Sequence, residues 1–504
     1  MEIARNILYG LSVVVQPVNL LWLTFGCIMG SIVGMLPGIG PATGIALLLP
    51  MTFVLKPAAA LIMMCAIYYG AMFGGSRCSI LLNIPGDASS VVSCFDGYPM
   101  TLKGQAEAAL AISALASFIG QMAAALAAMV AALPITRFAL RFGPPEYFTL
   151  MVCALAATTS LAQDSLLKGF ISLMLGLMIT TIGIDLQSGV QRFVFGIPEL
   201  QMGIEFVVVI IGLYAVTEIL ENYKTLSSTG DTPMQTKFGR IWVSKEQWRR
   251  SIGPILRQTP IGFLIGILPG TGGTIATMMA YNNEKQISKH PEEFGKGAIE
   301  GLAAPEAANN SCSIGAILPM ITLGVPGSGT AAIMLGALMI AGLQPGPLLF
   351  QHHPEIAWGI IASMFVGAIV CLIVNLPLAG LLVRLLAIPP RIMYPLILAI
   401  SFLGVYTAGF STVDLYLLTI FGLLGYFMRK HEIPSAPLIL AVVIGSPLEQ
   451  SFRQSLMLSD GSLRIFARSG ISVTLLALAV GSVVFPFASA WLRKRRQQPT
   501  AVSH

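Results

Sequence analysis

Apolar runs of membrane length recur along this chain, separated by short polar stretches. Windows of about 20 apolar residues suit a helix that crosses a bilayer. They stand at 109–133, 166–184, 204–220, 356–378, 396–406 joined to 413–428, and 470–492. Shorter runs, interrupted by glycine or proline, cover 21–36, 41–55, 58–75, 261–269, 312–323 and 328–343. The pattern predicts an all-α polytopic membrane protein with roughly ten to twelve transmembrane spans or half-spans.

One polar interval interrupts it. Residues 221–250 carry Lys224, Lys237, Arg240, Lys245, Arg249 and Arg250. They divide the chain into a first transmembrane repeat, 1–220, and a second, 251–492, with a basic tail at 493–504. Short basic loops stay on the cytoplasmic side. The linker, the loop marked by Arg429 and Lys430, and the terminal run Arg493 to Arg496 are therefore expected inside. The N-terminal stretch has no small-residue cleavage site before its apolar run and is expected to be a retained arm.

The halves share a peculiarity. Residues 26–44 read GCIMGSIVGMLPGIGPATG, and 262–276 read GFLIGILPGTGGTIA. Each half then passes a small polar cluster to a second Pro-Gly, at NIPG and at GVPG. Pro37 to Pro85 is 48 positions and Pro269 to Pro326 is 57, and the extra nine fit the hydrophilic insert YNNEKQISKHPEEFGKG. This is the signature of an internal repeat, expected to be inverted. A lone proline is ordinarily a kink. Matched breaks in two halves point instead to a transporter's binding site, because freed backbone groups persist in hydrocarbon only inside protein or beside a cavity.

Composition narrows the function. The 504 residues are 55% hydrophobic and 10% charged, with mean hydropathy +0.80, so lipid is the solvent. The net charge of +6 is dispersed among loops, and no basic, aromatic-interleaved patch suggests nucleic acid. Seven cysteines without a CxxC pair make neither a disulfide framework nor a zinc site. His352 and His353 lie in a polar turn, where a solvated loop is the plainer reading.

A half-helix starting at a glycine-rich break offers unpaired N–H groups and a positive dipole end to an anion. Gly38, Gly40, Gly86, Gly270, Thr271, Gly272 and Gly327 are candidates to supply such amides, beside the helix-breaking Pro37, Pro85, Pro269 and Pro326. Ser76, Ser79, Asn83, Asn309, Asn310, Ser311 and Ser328 are candidate side-chain ligands, although each alone could equally bond a neighbouring helix. Arg77 stands in a segment otherwise free of charge, and an intramembrane arginine is a site candidate by default. It is expected to help neutralise the anion, to snorkel, or to pair with Asp87 or Asp96. Asp87 and Glu306 are candidates for coupling an ion or proton. The expected cofactor set is empty apart from a transported Na⁺ or H⁺.

The words GMLPGIGP, YYGAMFGGS, SILLNIPG, FDGYPM, RFVFGIPELQMGI, IGILPGTGGTIA, KHPEEFGKGAIEGLAAPEAANN, TLGVPGS, LQPGPLLF and EQSFRQSLMLSDG run in order through nearly the whole chain. They make it similar to the large membrane subunit of the tripartite tricarboxylate transporter family. The resemblance implies a cation-driven importer of organic acids in the bacterial cytoplasmic membrane. It also implies a small four-span membrane subunit and a periplasmic solute-binding protein as partners. The family's signatures fall on Ser76 to Gly86 and on Ala304 to Gly327. This chain departs at Arg77 and Cys78, where threonines are usual, at Asp87 for Glu, and at Ser311-Cys312-Ser313 for small alanines.

The expected mechanism is alternating access around a midplane anion site. A membrane-embedded enzyme is the rival, but HExxH and GxSxG are absent and no histidine neighbours Ser76 or Cys78 in sequence. A passive anion channel is the other alternative; it would not accumulate substrate uphill.

Overall fold

In hydrocarbon a backbone amide must find its partner inside its own segment, which favours helix throughout this chain. The computed structural model describes residues 2–36, 40–161, 165–185, 188–222, 241–270, 272–378 and 390–496. Pro37, Gly38 and Thr271, most of the basic linker (223–240) and the end of the tail (497–504) lie outside the described residues.

The chain packs as two compact units, Met1–Leu140 with Ile204–Lys430, and Arg141–Gly203 with His431–His504. The first unit opens with α1 (Glu2–Val14), α2 (Pro17–Met35), α3 (Pro41–Leu48), α4 (Pro57–Leu82), α5 (Val91–Leu102) and α6 (Ala106–Ala139). The second unit contributes α7 (Pro144–Leu161) and α8 (Leu166–Thr180). The first then resumes with α9 (Phe206–Ile211), a π-helical turn (Gly212–Val216), α10 (Thr217–Asn222), α11 (Lys245–Ile267) and α12 (Gly272–Ile287). It continues through α13 (Ile299–Leu323), α14 (Gly329–Ile340), α15 (Pro347–His352), α16 (Pro354–Asn375) and the helices Pro390–Gly409 and Thr412–Lys430. Helices Ala436–Leu458 and Gly470–Arg496 complete the second unit.

Among the described residues, five helices are long and apolar enough to cross a membrane: α2, α4, α6, α16 and Thr412–Lys430. Shorter apolar helices accompany them, and the only strands described form a two-residue antiparallel pair, Gly183–Ile184 with Gln191–Arg192. The apolar window of α4 is 94% buried, so α4 is a core helix and not a lipid-facing one.

The windows expected at 261–269 and 312–323 are the ends of longer helices, α11 and α13. Residues 245–250, expected in the linker, form the first turns of α11. Ser244 and Gln247 close a capping box there, which satisfies the free amides of a helix start.

In the first unit α2 lies along α4 and α11 along α13 at glycine-to-backbone distance. A Cβ added to Gly30 or Gly34 would fall 2.3 or 2.2 Å from the carbonyl oxygens of Ile67 and Ala71. One added to Gly262 or Gly266 would fall 2.3 or 2.2 Å from those of Ala308 and Cys312. Small residues at these four places let two pairs of backbones touch, the usual basis of helix association in lipid.

In the second unit Gly176 of α8 meets the Leu438 carbonyl in the same manner. Arg192 and Arg453 bracket Asp185 and Glu449 there, with Arg192 3.1 Å from Glu449 and Arg453 2.9 Å from Asp185.

Candidate functional site

Each glycine-zipped pair of helices ends in two breaks, and the breaks have matching geometry. Helix α2 stops at Leu36 (φ −77°, ψ 119°), and α11 stops at Leu268 (φ −77°, ψ 125°). Helix α4 is closed by Asn83 in the left-handed region (φ 57°) and α13 by Gly324 (φ 74°). Beyond them Ile84 N–H returns to the Cys78 carbonyl at 3.5 Å, and Val325 N–H to the Pro319 carbonyl at 3.3 Å, each a six-residue closure of the helix end. Proline alone does not explain this: Pro99, Pro134, Pro254, Pro260, Pro305 and Pro319 are carried inside helices. The breaks come where proline is followed directly by glycine.

New helix starts face one polar cluster. Gly40 caps α3, and a Cβ there would lie 3.5 Å from that of Asp87. Asp87 caps the next turn by accepting from Ser89 and Ser90 N–H, and its Oδ2 also accepts from Ser89 Oγ at 2.6 Å. A Cβ on Gly273, in the first turn of α12, would lie 2.7 Å from Asn309 Oδ1 and 2.9 Å from the Ser89 Cβ. Ser328 caps α14 through Ala331 N–H, and its Oγ is 3.0 Å from the hydroxyl of Tyr68, which lies within electrostatic reach of Asp87. Asn309 is 2% exposed and its Oδ1 has no hydrogen-bond partner among the described residues.

Of the residues expected at the site, the structure therefore brings together Gly40, Asp87, Asn309 and Ser328, while Gly272 opens the helix whose Gly273 meets Asn309. Others serve the frame around them. Gly86 and Gly327 press on the carbonyls of Gly34 and Gly266. Gly270 N–H donates to the Gly327 carbonyl at 3.1 Å, joining the two breaks of the second half. Pro85 and Pro326 lie in the tips they break, and Pro269 precedes α12. Ser79 donates to the Ser90 carbonyl, Ser311 packs against Gly262, Asn310 donates to the Glu306 carbonyl, and Asn83 is exposed.

Arg77 neither snorkels nor pairs with an aspartate. It is 2% exposed and turns toward α16, where its Nε donates to Asn375 Oδ1 at 3.0 Å and its Nη2 to the Asn375 carbonyl. Asp96 is held elsewhere: its Oδ1 accepts from Gly295, Gly297 and Ala298 N–H at 2.9, 2.7 and 2.7 Å. Neighbouring positions on α4 diverge by about 100°, so Ser76 lies on a different face and donates to Glu306 at 2.7 Å. The described residues contain no group of three or more His, Cys, Asp or Glu that could hold a metal.

The model of the tripartite tricarboxylate transporter TctA family matches residues 20–440. The chain belongs to that family. It is 41% identical over 98% of its length to an uncharacterized 52.8 kDa protein in the TAR-I ttuC' 3' region of Agrobacterium vitis, 98% of which is covered. A second Agrobacterium vitis protein, uncharacterized and in the TAR-II ttuC' 3' region, is 38% identical over 47% of the chain and 98% of its own length. No solved structure matches.

In this TctA-family chain, sequence reasoning passed over Tyr68, Ser89, Ser93, Ser117 and Asn375. Tyr68 was within reach: with the nine-residue insert allowed for, it aligns with Asn309 as Gly86 does with Gly327, 241 positions apart in each case. Nothing in the sequence around Asn375 marks it as the partner of Arg77, 298 positions away.

Proposed function

We propose that this chain is the permease subunit of a secondary importer, carrying a di- or tricarboxylate into the cell by alternating access at a midplane site built from two inverted repeats. A periplasmic binding protein delivers the acid, a small four-span subunit accompanies the permease in the bacterial inner membrane, and a cation gradient drives the cycle. The C-terminus lies in the cytoplasm with the basic run Arg493 to Arg496.

The observation that carries this reading is the cluster at Gly40, Asp87, Ser89, Gly273, Asn309, Tyr68 and Ser328. Starts of α3, α12 and α14 supply amides and positive dipole ends there, the chemistry that receives a carboxylate. The unpartnered Asn309 Oδ1 adds a buried acceptor suited to a substrate hydroxyl or a co-transported cation. Supporting the repeats, the tip contacts recur at constant offsets, 232 positions for Gly34 and Gly266 and 241 for Gly86 and Gly327.

Uptake of labelled citrate, succinate and malate tests it, in vesicles holding the chain with its small partner and supplied with the binding protein. Accumulation that requires the binding protein and a Na⁺ or pH gradient is expected, and Asn309→Ala raises the half-saturating concentration. Equilibration without accumulation would indicate a channel, and conversion of the acid an enzyme.

A further inference from the structure

Helices α4, α5, α6 and α13 meet at one carboxyl group. Glu306 of α13 is 1% exposed. Its Oε2 accepts from Ser76 Oγ of α4 at 2.7 Å and Ser117 Oγ of α6 at 3.1 Å, and its Oε1 accepts from Ser93 Oγ of α5. Ser113, one turn before Ser117, lies close enough to act on it electrostatically.

No cation forms a salt bridge with Glu306 among the described residues. From α4, Arg77 reaches it electrostatically but spends its hydrogen bonds on Asn375 of α16. From α5, Asp96 is occupied by the amides of 295–298, and from α11 and α12, Arg257 and Glu284 pair with each other at 2.6 Å. From α6 come the serines. A carboxylate buried without a salt-bridged cation is costly, and such a group ordinarily takes up a proton. A metal ion would have to stand between the oxygens. Here the hydroxyls meet the carboxyl group directly at ordinary hydrogen-bond lengths, which a proton completes and a metal ion would have to pry apart.

We propose that Glu306 is the proton-carrying group of the transport cycle, its hydroxyl cage receiving the carboxylate left when the proton departs. One proton adds to a carboxylate oxygen from the outer side before substrate binds and leaves to the inner side after release. Glu306 stands one turn from Asn309 of the substrate cluster, close enough for the two occupancies to influence each other. The coupling role rests on the permease reading; the protonation does not.

Infrared difference spectroscopy on the purified full-length chain, without substrate, tests the protonation. A protonated-carboxyl band at neutral pH is expected, abolished in Glu306→Gln and displaced in Ser117→Ala, which keeps the acid and removes one donor. The proposal is overturned by the same band in Glu306→Gln, by its loss on adding Na⁺, or, where that variant does not fold, by an unmoved band in Ser117→Ala. Coupling is read in vesicles: Glu306→Gln should retain citrate exchange and lose pH-driven accumulation. Accumulation retained in that variant would overturn the coupling role. Wild-type vesicles that accumulate none of citrate, succinate or malate would sink the permease reading while leaving the infrared result standing.

Discussion

Gly86 and Gly327 occupy equivalent places in their hairpins. A Cβ on Gly86 would fall 2.2 Å from the Gly34 carbonyl oxygen, and one on Gly327 would fall 2.1 Å from that of Gly266. Both obstacles are backbone, which cannot swing aside as a side chain can.

Alanine at either glycine is therefore expected to force the tip off its helix pair, at a cost of about 1–3 kcal/mol. The check is the thermal midpoint of purified protein in detergent. Gly481→Ala is the control, since nothing lies within 4 Å of its added Cβ inside the helix Gly470–Arg496, and it should not lower the midpoint. Equal midpoints for all three variants would mean that the tips are not packed this closely.

Asp96 predicts a local effect. Its Oδ1 gathers two amides of the second-half insert and that of Ala298 just past it, while Tyr281 stacks edge-on against Phe95 and Phe294 at 5.5 and 5.4 Å. Hydrogen bonds to a charged group are worth about 1.5–3 kcal/mol, so Asp96→Ala should release this segment before it unfolds the chain. Trypsin then cleaves at Lys289 or Lys296 faster than in the wild type, with Asp96→Asn intermediate. Unchanged cleavage would show that the segment is held by its aromatic contacts alone.

The breaks were legible in the sequence because Pro-Gly changes the backbone wherever it sits, and the nine-residue insert could be counted. The ligands of Glu306 were not. Ser93 and Ser117 are ordinary small residues until folding brings them to one carboxyl group, 213 and 189 positions away along the chain. Arg77 was legible as unusual but not in its direction, since one position along a helix decides whether a side chain turns toward the cluster or toward α16. The basic residues at 245–250 read as loop by charge, yet the Ser244–Gln247 box makes them helix.

Arg250 joins Glu293 at 2.5 Å and Glu300 at 2.7 Å at a solvent-facing corner. The hydrogen bond from Arg250 holds the Glu293 carboxyl below its usual range. A lowered carboxyl value contributes stability above the ordinary carboxylate range and loses it as pH falls through the folded value. The midpoint difference between wild type and Arg250→Gln should thus be steady near neutrality and shrink in acid. Glu293 is 43% exposed, so the difference stays small. A difference that grows in acid would contradict the pairing.

The last prediction separates two roles for Arg77. A residue that neutralises the substrate would, on truncation, weaken substrate affinity while leaving the fold intact. The structure instead makes Arg77 a brace across three helices: it binds Asn375 of α16 twice, and Asn375 Nδ2 donates to Ser31 Oγ of α2 at 2.8 Å. Arg77→Thr should therefore lower the yield of folded protein and leave the half-saturating concentration of the surviving transporter unchanged. Asn375→Ala should cost about 1–3 kcal/mol by leaving a buried guanidinium short of acceptors. The double variant should be less damaged than the sum, with a coupling energy of about 0.5–3 kcal/mol. Arg77→Lys should not rescue, because an ammonium group cannot reproduce the planar fork that reaches a side-chain oxygen and a carbonyl together. If Arg77→Thr folds normally and loses affinity for the acid, the brace is incidental and the guanidinium reaches the substrate in another state of the cycle.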